Sequence, residues 1–144
     1  MIKAKFPDKN SKNEIIDSIT LAEKMTSGEI RIHLRSKCKG DPLEEGKKIF
    51  LKLKMHKTKE RNGVLIFIAL ESKKFAIVGD KGIHEKVGEN FWNETKDKMT
   101  EYFSKDQIKE GIIAGIKNIG EKLKKHFPRK LDDINELPNV ISKD

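Results

Sequence analysis

Asn62-Gly63-Val64-Leu65-Ile66-Phe67-Ile68-Ala69-Leu70-Glu71-Ser72-Lys73-Lys74-Phe75-Ala76-Ile77-Val78-Gly79-Asp80-Lys81-Gly82 is the stretch that decides the fold. Val64 to Leu70 is an apolar run rich in branched side chains, too short for most helices and bounded by turn residues. That is the pattern of a strand covered on both faces. Phe75 to Val78 repeats it. Glu71-Ser72-Lys73-Lys74 is polar and short enough to reverse the chain, and Gly79-Asp80-Lys81-Gly82 ends the second strand abruptly. A buried β-hairpin is predicted, and in so polar a chain it forms the centre of the core.

The rest of the composition leaves room for one such core. The chain has 144 residues, 35% hydrophobic and 38% charged, which is the size of one ordinary domain. No run approaches the roughly 18 consecutive apolar residues of a membrane span, and Met1 to Pro7 lacks the apolar region of a signal peptide. A soluble, cytoplasmic protein with no transmembrane segment of its own is the expectation. Cys38 is the single cysteine, so neither a disulfide framework nor a zinc site is supported.

A formal charge of +8 raises the question of nucleic acid. Only Arg31, Arg35, Arg61 and Arg129 carry the guanidinium that suits bidentate phosphate and guanine recognition. The lysines are scattered among acids, as on solvated helix faces, although Lys52 to Arg61 and Lys122 to Lys130 are locally basic. Nucleic acid is therefore not an expected partner.

On the N-terminal side, Ser11 and Glu14 read as a capping box for a first helix with Ile15, Ile16, Ile19, Ala22 and Met25 as its apolar stripe. Glu29 to Arg35 alternates strictly, placing Ile30, Ile32 and Leu34 on one face and Glu29, Arg31, His33 and Arg35 on a less buried one. His33, outside any motif, reads as a surface residue. Asp41 and Pro42 open a second helix. A strand-helix-strand unit of this length makes parallel neighbours, so a mixed sheet of three strands is predicted, with a fourth not located.

On the C-terminal side, Asn90 reads as the cap of a helix carrying Phe91, Trp92, Thr95, Met99 and Phe103, with Trp92 packed in the core. Ser104 and Gln107 read as a box opening a helix with Ile108, Ile112, Ile116, Ile119 and Leu123. Gly111 and Gly115 inside it imply close backbone approach, expected to be to the sheet. Residues 1–10 are assigned as an extension, 11–127 as one domain, and 128–144 as an extended or flexible tail.

Three segments carry a family resemblance: Glu23-Lys24-Met25-Thr26-Ser27-Gly28-Glu29-Ile30-Arg31-Ile32-His33, Asn62 to Leu70, and Lys74-Phe75-Ala76-Ile77-Val78-Gly79-Asp80-Lys81-Gly82-Ile83-His84-Glu85. In this order and spacing the chain resembles the TPM domain family. The resemblance implies an α/β fold, a small central mixed β-sheet sandwiched between α-helices. It also implies divalent-cation binding, calcium in particular, and an acid phosphatase activity described for plant relatives. Relatives are commonly exported or membrane-anchored, whereas this chain resembles a compact stand-alone member, which speaks against a photosynthetic or receptor role. Such members are often encoded beside a LemA-type membrane protein, which the resemblance makes a partner candidate.

The predicted topology gives the resemblance a location. With the first two strands parallel and the third antiparallel, Ser27-Gly28-Glu29, Asn62-Gly63 and Gly79-Asp80-Lys81-Gly82 meet at one sheet edge. A calcium-type site is expected there from Glu29, Asp80 and Glu85, with Asn62 and Glu89 as further candidates, because calcium takes roughly six to eight oxygens in irregular geometry. The competing reading makes Glu29 an exposed strand residue, Asp80 a turn former and Glu85 a helix-dipole acid. The opposite edge, with Ser36 to Asp41 and Glu71, ranks second. A binding or interaction module is the first functional reading, and a metal-assisted acid phosphatase is the alternative.

Overall fold

Strand β2, Gly63–Ala69, is buried at every residue, and the sheet is built outward from it. The computed structural model describes residues 6–130 and 136–144, and the side chain of Glu89 lies outside that description. β2 pairs in parallel with β1, Glu29–Arg35, from Glu29 opposite Gly63 to Arg35 opposite Ala69. It pairs antiparallel with β3, Lys74–Gly79, from Val64 opposite Gly79 to Ala69 opposite Lys74. Helix α2, Pro42–Lys52, joins β1 to β2; Asp41 caps it by accepting from the Glu44 N–H, and Pro42 sits in the first turn.

The fourth strand, which the sequence pattern did not reveal, is β4, Ile141–Lys143, laid parallel to β1 with Ile32 opposite Ile141. The strand order is β3-β2-β1-β4. Its attachment is largely polar. Asp144 makes two contacts to the Arg35 guanidinium at 2.8 and 2.9 Å, and its Oδ1 lies 2.9 Å from His33 Nε2. His33 Nδ1 is 2.7 Å from Ser142 Oγ, and the imidazole stacks on Phe67 at 6.0 Å. His33 is consequently buried at 3% exposure, against the surface position that alternation predicts. Its face of β1 is covered by the other side of the sheet's core and by the chain terminus.

Helices cover both sheet faces, as the predicted sandwich requires. On one face α1 (Lys9–Glu23), α3 (Lys81–Val87), α4 (Asn93–Phe103) and α5 (Ile108–His126) contribute to a cluster with Ile30, Ile32, Val64, Ile66 and Ile77. On the other face α2 places Ile49 and Phe50 against Leu65, Phe67 and Val78. Trp92, in a short 3-10 turn before α4, is in the core as expected.

Three helix starts differ from the sequence reading. Asn90 does not cap α4: it lies inside the 3-10 turn Glu89–Trp92, and α4 begins at Asn93 without a side-chain cap. Asp8, not Ser11, caps α1, accepting from the Ser11 N–H at 2.7 Å. α5 begins after Gln107 without a side-chain cap, because the Ser104 hydroxyl bonds back to the Glu101 carbonyl. Gly111 and Gly115 do permit close approach, but to α4 and not to the sheet: a Cβ at Gly115 would lie 2.5 Å from Met99 Sδ.

Gly82 is the tightest glycine at the edge of interest. A Cβ there would lie 2.3 Å from the Glu60 carbonyl oxygen and 2.7 Å from that of Arg61, both backbone atoms. Gly82→Ala is expected to destabilise the fold by about 1–3 kcal/mol, whereas Gly40→Ala, with open space around the site, stays within about 0.5 kcal/mol. Urea unfolding monitored by Trp92 fluorescence checks the difference.

Candidate functional site at the start of strand β1

The expected meeting of turns at one sheet edge is present in the backbone. The Glu29 N–H donates to the Asn62 carbonyl at 3.3 Å, the Asp80 N–H to the Gly63 carbonyl at 3.0 Å, and the Gly82 N–H to the Arg61 carbonyl at 2.9 Å. Glu29, Asn62 and Asp80 are all buried. Their side chains, however, divide into two separate groups.

Asp80 belongs to the first. Its carboxylate caps α3 through the Lys81 N–H and receives the Arg61 guanidinium at 2.8 and 2.9 Å. A bidentate pair of this kind uses the carboxylate's in-plane lone pairs on both oxygens. Arg61 reaches it from a left-handed backbone conformation, φ 52°. Glu85 lies exposed on α3, close enough to Arg61 to raise the guanidinium's pKa together with Asp80. Asn62 contributes Nδ2 to Ser27 Oγ at 3.4 Å. The Glu89 side chain is outside the described residues.

Glu29 belongs to the second group, with a residue that the sequence reading passed over. Glu23, the last residue of α1, is 7% exposed and turns its carboxylate to the edge of β1, where Oε2 accepts from the Ile30 N–H at 2.9 Å. That amide lies just before the segment covered by β4, so Glu23 does there what a neighbouring strand does further along. Glu29 Oε1 accepts from the Leu137 N–H, and Asn139 bonds the Glu23 carboxylate. The segment 136–139 thus closes over both acids.

Burial pushes the carboxyl groups of Glu23 and Glu29 each up to about 7. Bonds from Ile30 and Asn139 to Glu23, and from Leu137 to Glu29, oppose the rise, as does Arg129 beside Glu23. The charges of Glu23 and Glu136 raise Glu29 further. Glu23 Oε1 has no hydrogen-bond partner among the described residues. A buried carboxylate oxygen without a hydrogen-bond partner, near enough to a second desolvated carboxyl group to raise its pKa, is the environment that either a proton or a hard cation relieves. Among the described residues no three His, Cys, Asp or Glu side chains converge tightly enough to form a complete protein cage for a metal.

Glu23 had a signal in the sequence. It stands eight residues after Ile15 and four after Ile19, on the buried stripe of α1, where a charge is out of pattern. Residues 136–139 had none, since their place depends on contacts with Thr20, Glu29 and Lys59, far earlier in the chain.

Comparisons with known proteins agree with this architecture. The chain belongs to the TPM domain family, whose model matches residues 3–122. It is 43% identical to the BA42 protein of the psychrophilic bacterium Bizionia argentinensis, whose NMR structure superimposes with a TM-score of 0.93 over 99% of both chains. The N-terminal domain of a P. gingivalis protein is similar at 16% identity and a TM-score of 0.66, over 83% of this chain and 78% of that one. The N-terminal domain of cg2496 from Corynebacterium glutamicum gives 12% identity and a TM-score of 0.57, over 96% and 80%. The latter two establish likeness of fold. No curated protein matches the chain. No described helix is long and apolar enough to cross a membrane.

The pKa shifts fix the sign of a pH effect. A carboxyl group whose folded pKa is raised keeps its proton in the folded state between about 4.5 and 7, so its ionisation opposes folding as pH rises through that window. Stability should fall from pH 5 to pH 8. In Glu23→Gln the fall should shrink, leaving the variant the more stable at pH 8 by on the order of 2 kcal/mol. Urea midpoints of both proteins at pH 5, 6.5 and 8 measure it.

Proposed function

We propose that this TPM-domain protein is a divalent-cation-binding module, with calcium the preferred ion, and that Glu23 and Glu29 at the start of β1 are its carboxylate donors. The observation that carries the reading is the unpartnered, buried Glu23 Oε1 beside a second desolvated carboxylate. The donors are all hard oxygens, which suits calcium or magnesium, and the remaining positions fall to water or backbone carbonyls. A bound cation supplies positive charge that lets both carboxylates ionise without mutual repulsion. The Asn62 carbonyl holds the start of β1 against β2, and the Asp80–Arg61 pair holds the start of α3 against the segment before β2. Glu85, beside Arg61 on α3, is given an outer position.

Binding should therefore release protons near neutral pH and strengthen from pH 6 to pH 8. In calorimetric titration of calcium at pH 7.5, Glu23→Gln and Glu29→Gln are expected to weaken binding at least tenfold, about 1.4 kcal/mol. Asp80→Ala should weaken it less. Wild-type heats unchanged in both glutamine variants would remove the assignment, and a loss confined to Asp80→Ala would move the site to the α3 side.

A metal-assisted acid phosphatase is the second reading, favoured by one feature: carboxyl groups titrating near neutrality are suited to accept a proton from water. Hydrolysis of p-nitrophenyl phosphate that requires calcium or magnesium and disappears in Glu29→Gln would support it. Activity indifferent to that substitution would mark a contaminant.

A further inference from the structure

Strand β3 is the sheet's other edge, and the outward backbone groups of Phe75 and Ile77 on it are unmet among the described residues. The Asp80 N–H to Gly63 O bond fixes the alternation of the β2–β3 ladder, so Lys74, Ala76 and Val78 turn their amides and carbonyls to β2. Phe75 and Ile77 turn theirs away. No described residue bonds the outward groups of either, although Ile77 is only 3% exposed. Buried backbone groups are nearly always paired, so the outward groups of buried Ile77, with those of half-buried Phe75 two residues before it, leave pairing open along this edge.

A groove of about 390 Å³ runs along this edge. Its floor is Phe75, Ala76 and Ile77; Pro42 and Leu43 at the start of α2 form one wall, and Lys96 and Thr100 of α4 the other. Leu43 is 39% exposed, one of the larger exposed apolar side chains. An edge strand is normally protected by a lysine reaching across it, but the Lys74 ammonium is tied to the Cys38 and Gly40 carbonyls instead.

We propose that this edge receives an extended segment of an acidic partner polypeptide as a fifth strand. Added main-chain bonds to Phe75 and Ile77 supply the register, and alternate side chains of the incoming strand face opposite walls. On the α2 side they meet Pro42 and Leu43, which suits apolar residues. On the α4 side they meet Lys96, which makes no ion pair among the described residues, and this suits carboxylates. Asp41, at the groove's end, is already engaged with the Glu44 N–H. Charge argues against a second copy of this chain, since each would bring +8 and its own Lys96 to the junction. The site lies at the opposite edge of the sheet from β4 and does not depend on the cation reading.

The test uses a fluorescent ten-residue peptide of alternating Glu and Val, a Lys-Val counterpart, and the full-length protein. The acidic peptide should bind, and should slow hydrogen exchange at the Phe75 and Ile77 amides by at least tenfold. Lys96→Glu should weaken it by about fivefold, roughly 1 kcal/mol, while Lys124→Glu on α5 has a much smaller effect. Several outcomes would overturn the proposal: no binding, equal binding of the basic peptide, binding without protection of those two amides, or equal losses in the two lysine variants. Protection of Phe75 and Ile77 that grows with protein concentration alone would assign the edge to self-association instead.

Discussion

Burial of β2 on both faces is the constraint on which the rest of the molecule depends. A strand that shows no residue to water needs neighbours in its own plane and helices above and below it. The chain meets these demands with a parallel β1, an antiparallel β3, the α1–α5 side and the α2 side. Because β1 and β2 start at the same edge while β3 ends there, three loops must converge at that edge. The position of the candidate site is a consequence of the sheet's connectivity before any acidic side chain is considered.

That part was legible in the sequence because it rests on local patterns: an apolar run, a strict alternation from Glu29 to Arg35, and an Asp41-Pro42 helix start. What was not legible depends on distant partners. Ile141–Lys143 is too short for a pattern, and pairing with Ile32 to Leu34, more than a hundred residues earlier, makes it a strand, with His33 and Arg35 fixing Ser142 and Asp144 by side-chain contacts. The same contacts explain why His33, on a face that alternation marks as polar, is buried. The site shows the same division. Convergence of Glu29, Asn62 and Asp80 followed from topology, but Arg61 takes the Asp80 carboxylate, and a neighbour taken from the basic run Lys52 to Arg61 gave no sign of doing so. Glu23 was visible as a charge on an apolar stripe, which is where a helix pattern fails when a residue serves something other than packing.

The two groups at this edge show how differently buried carboxylates are managed. Asp80 has a guanidinium and a helix N-terminus, so its charge is met within the protein. Glu23 and Glu29 have backbone amides, an asparagine and a single nearby arginine against two mutually repelling charges. Local amides soften but do not cancel the cost of desolvation, and the pair is left with its carboxyl groups near neutrality. Either a proton or a cation would relieve such a site. The BA42 likeness extends over the whole chain, so the same arrangement is open to direct comparison in a second protein.

The most direct measurement follows the side-chain carboxyl carbons of Glu23 and Glu29 by ¹³C NMR across pH 4 to 9, with and without calcium. The account predicts that both titrate near 7 in the absence of the ion, and that calcium lowers both midpoints while leaving the Asp80 signal in place. Midpoints in the ordinary glutamate range, or carbons near 7 that ignore calcium, would contradict it.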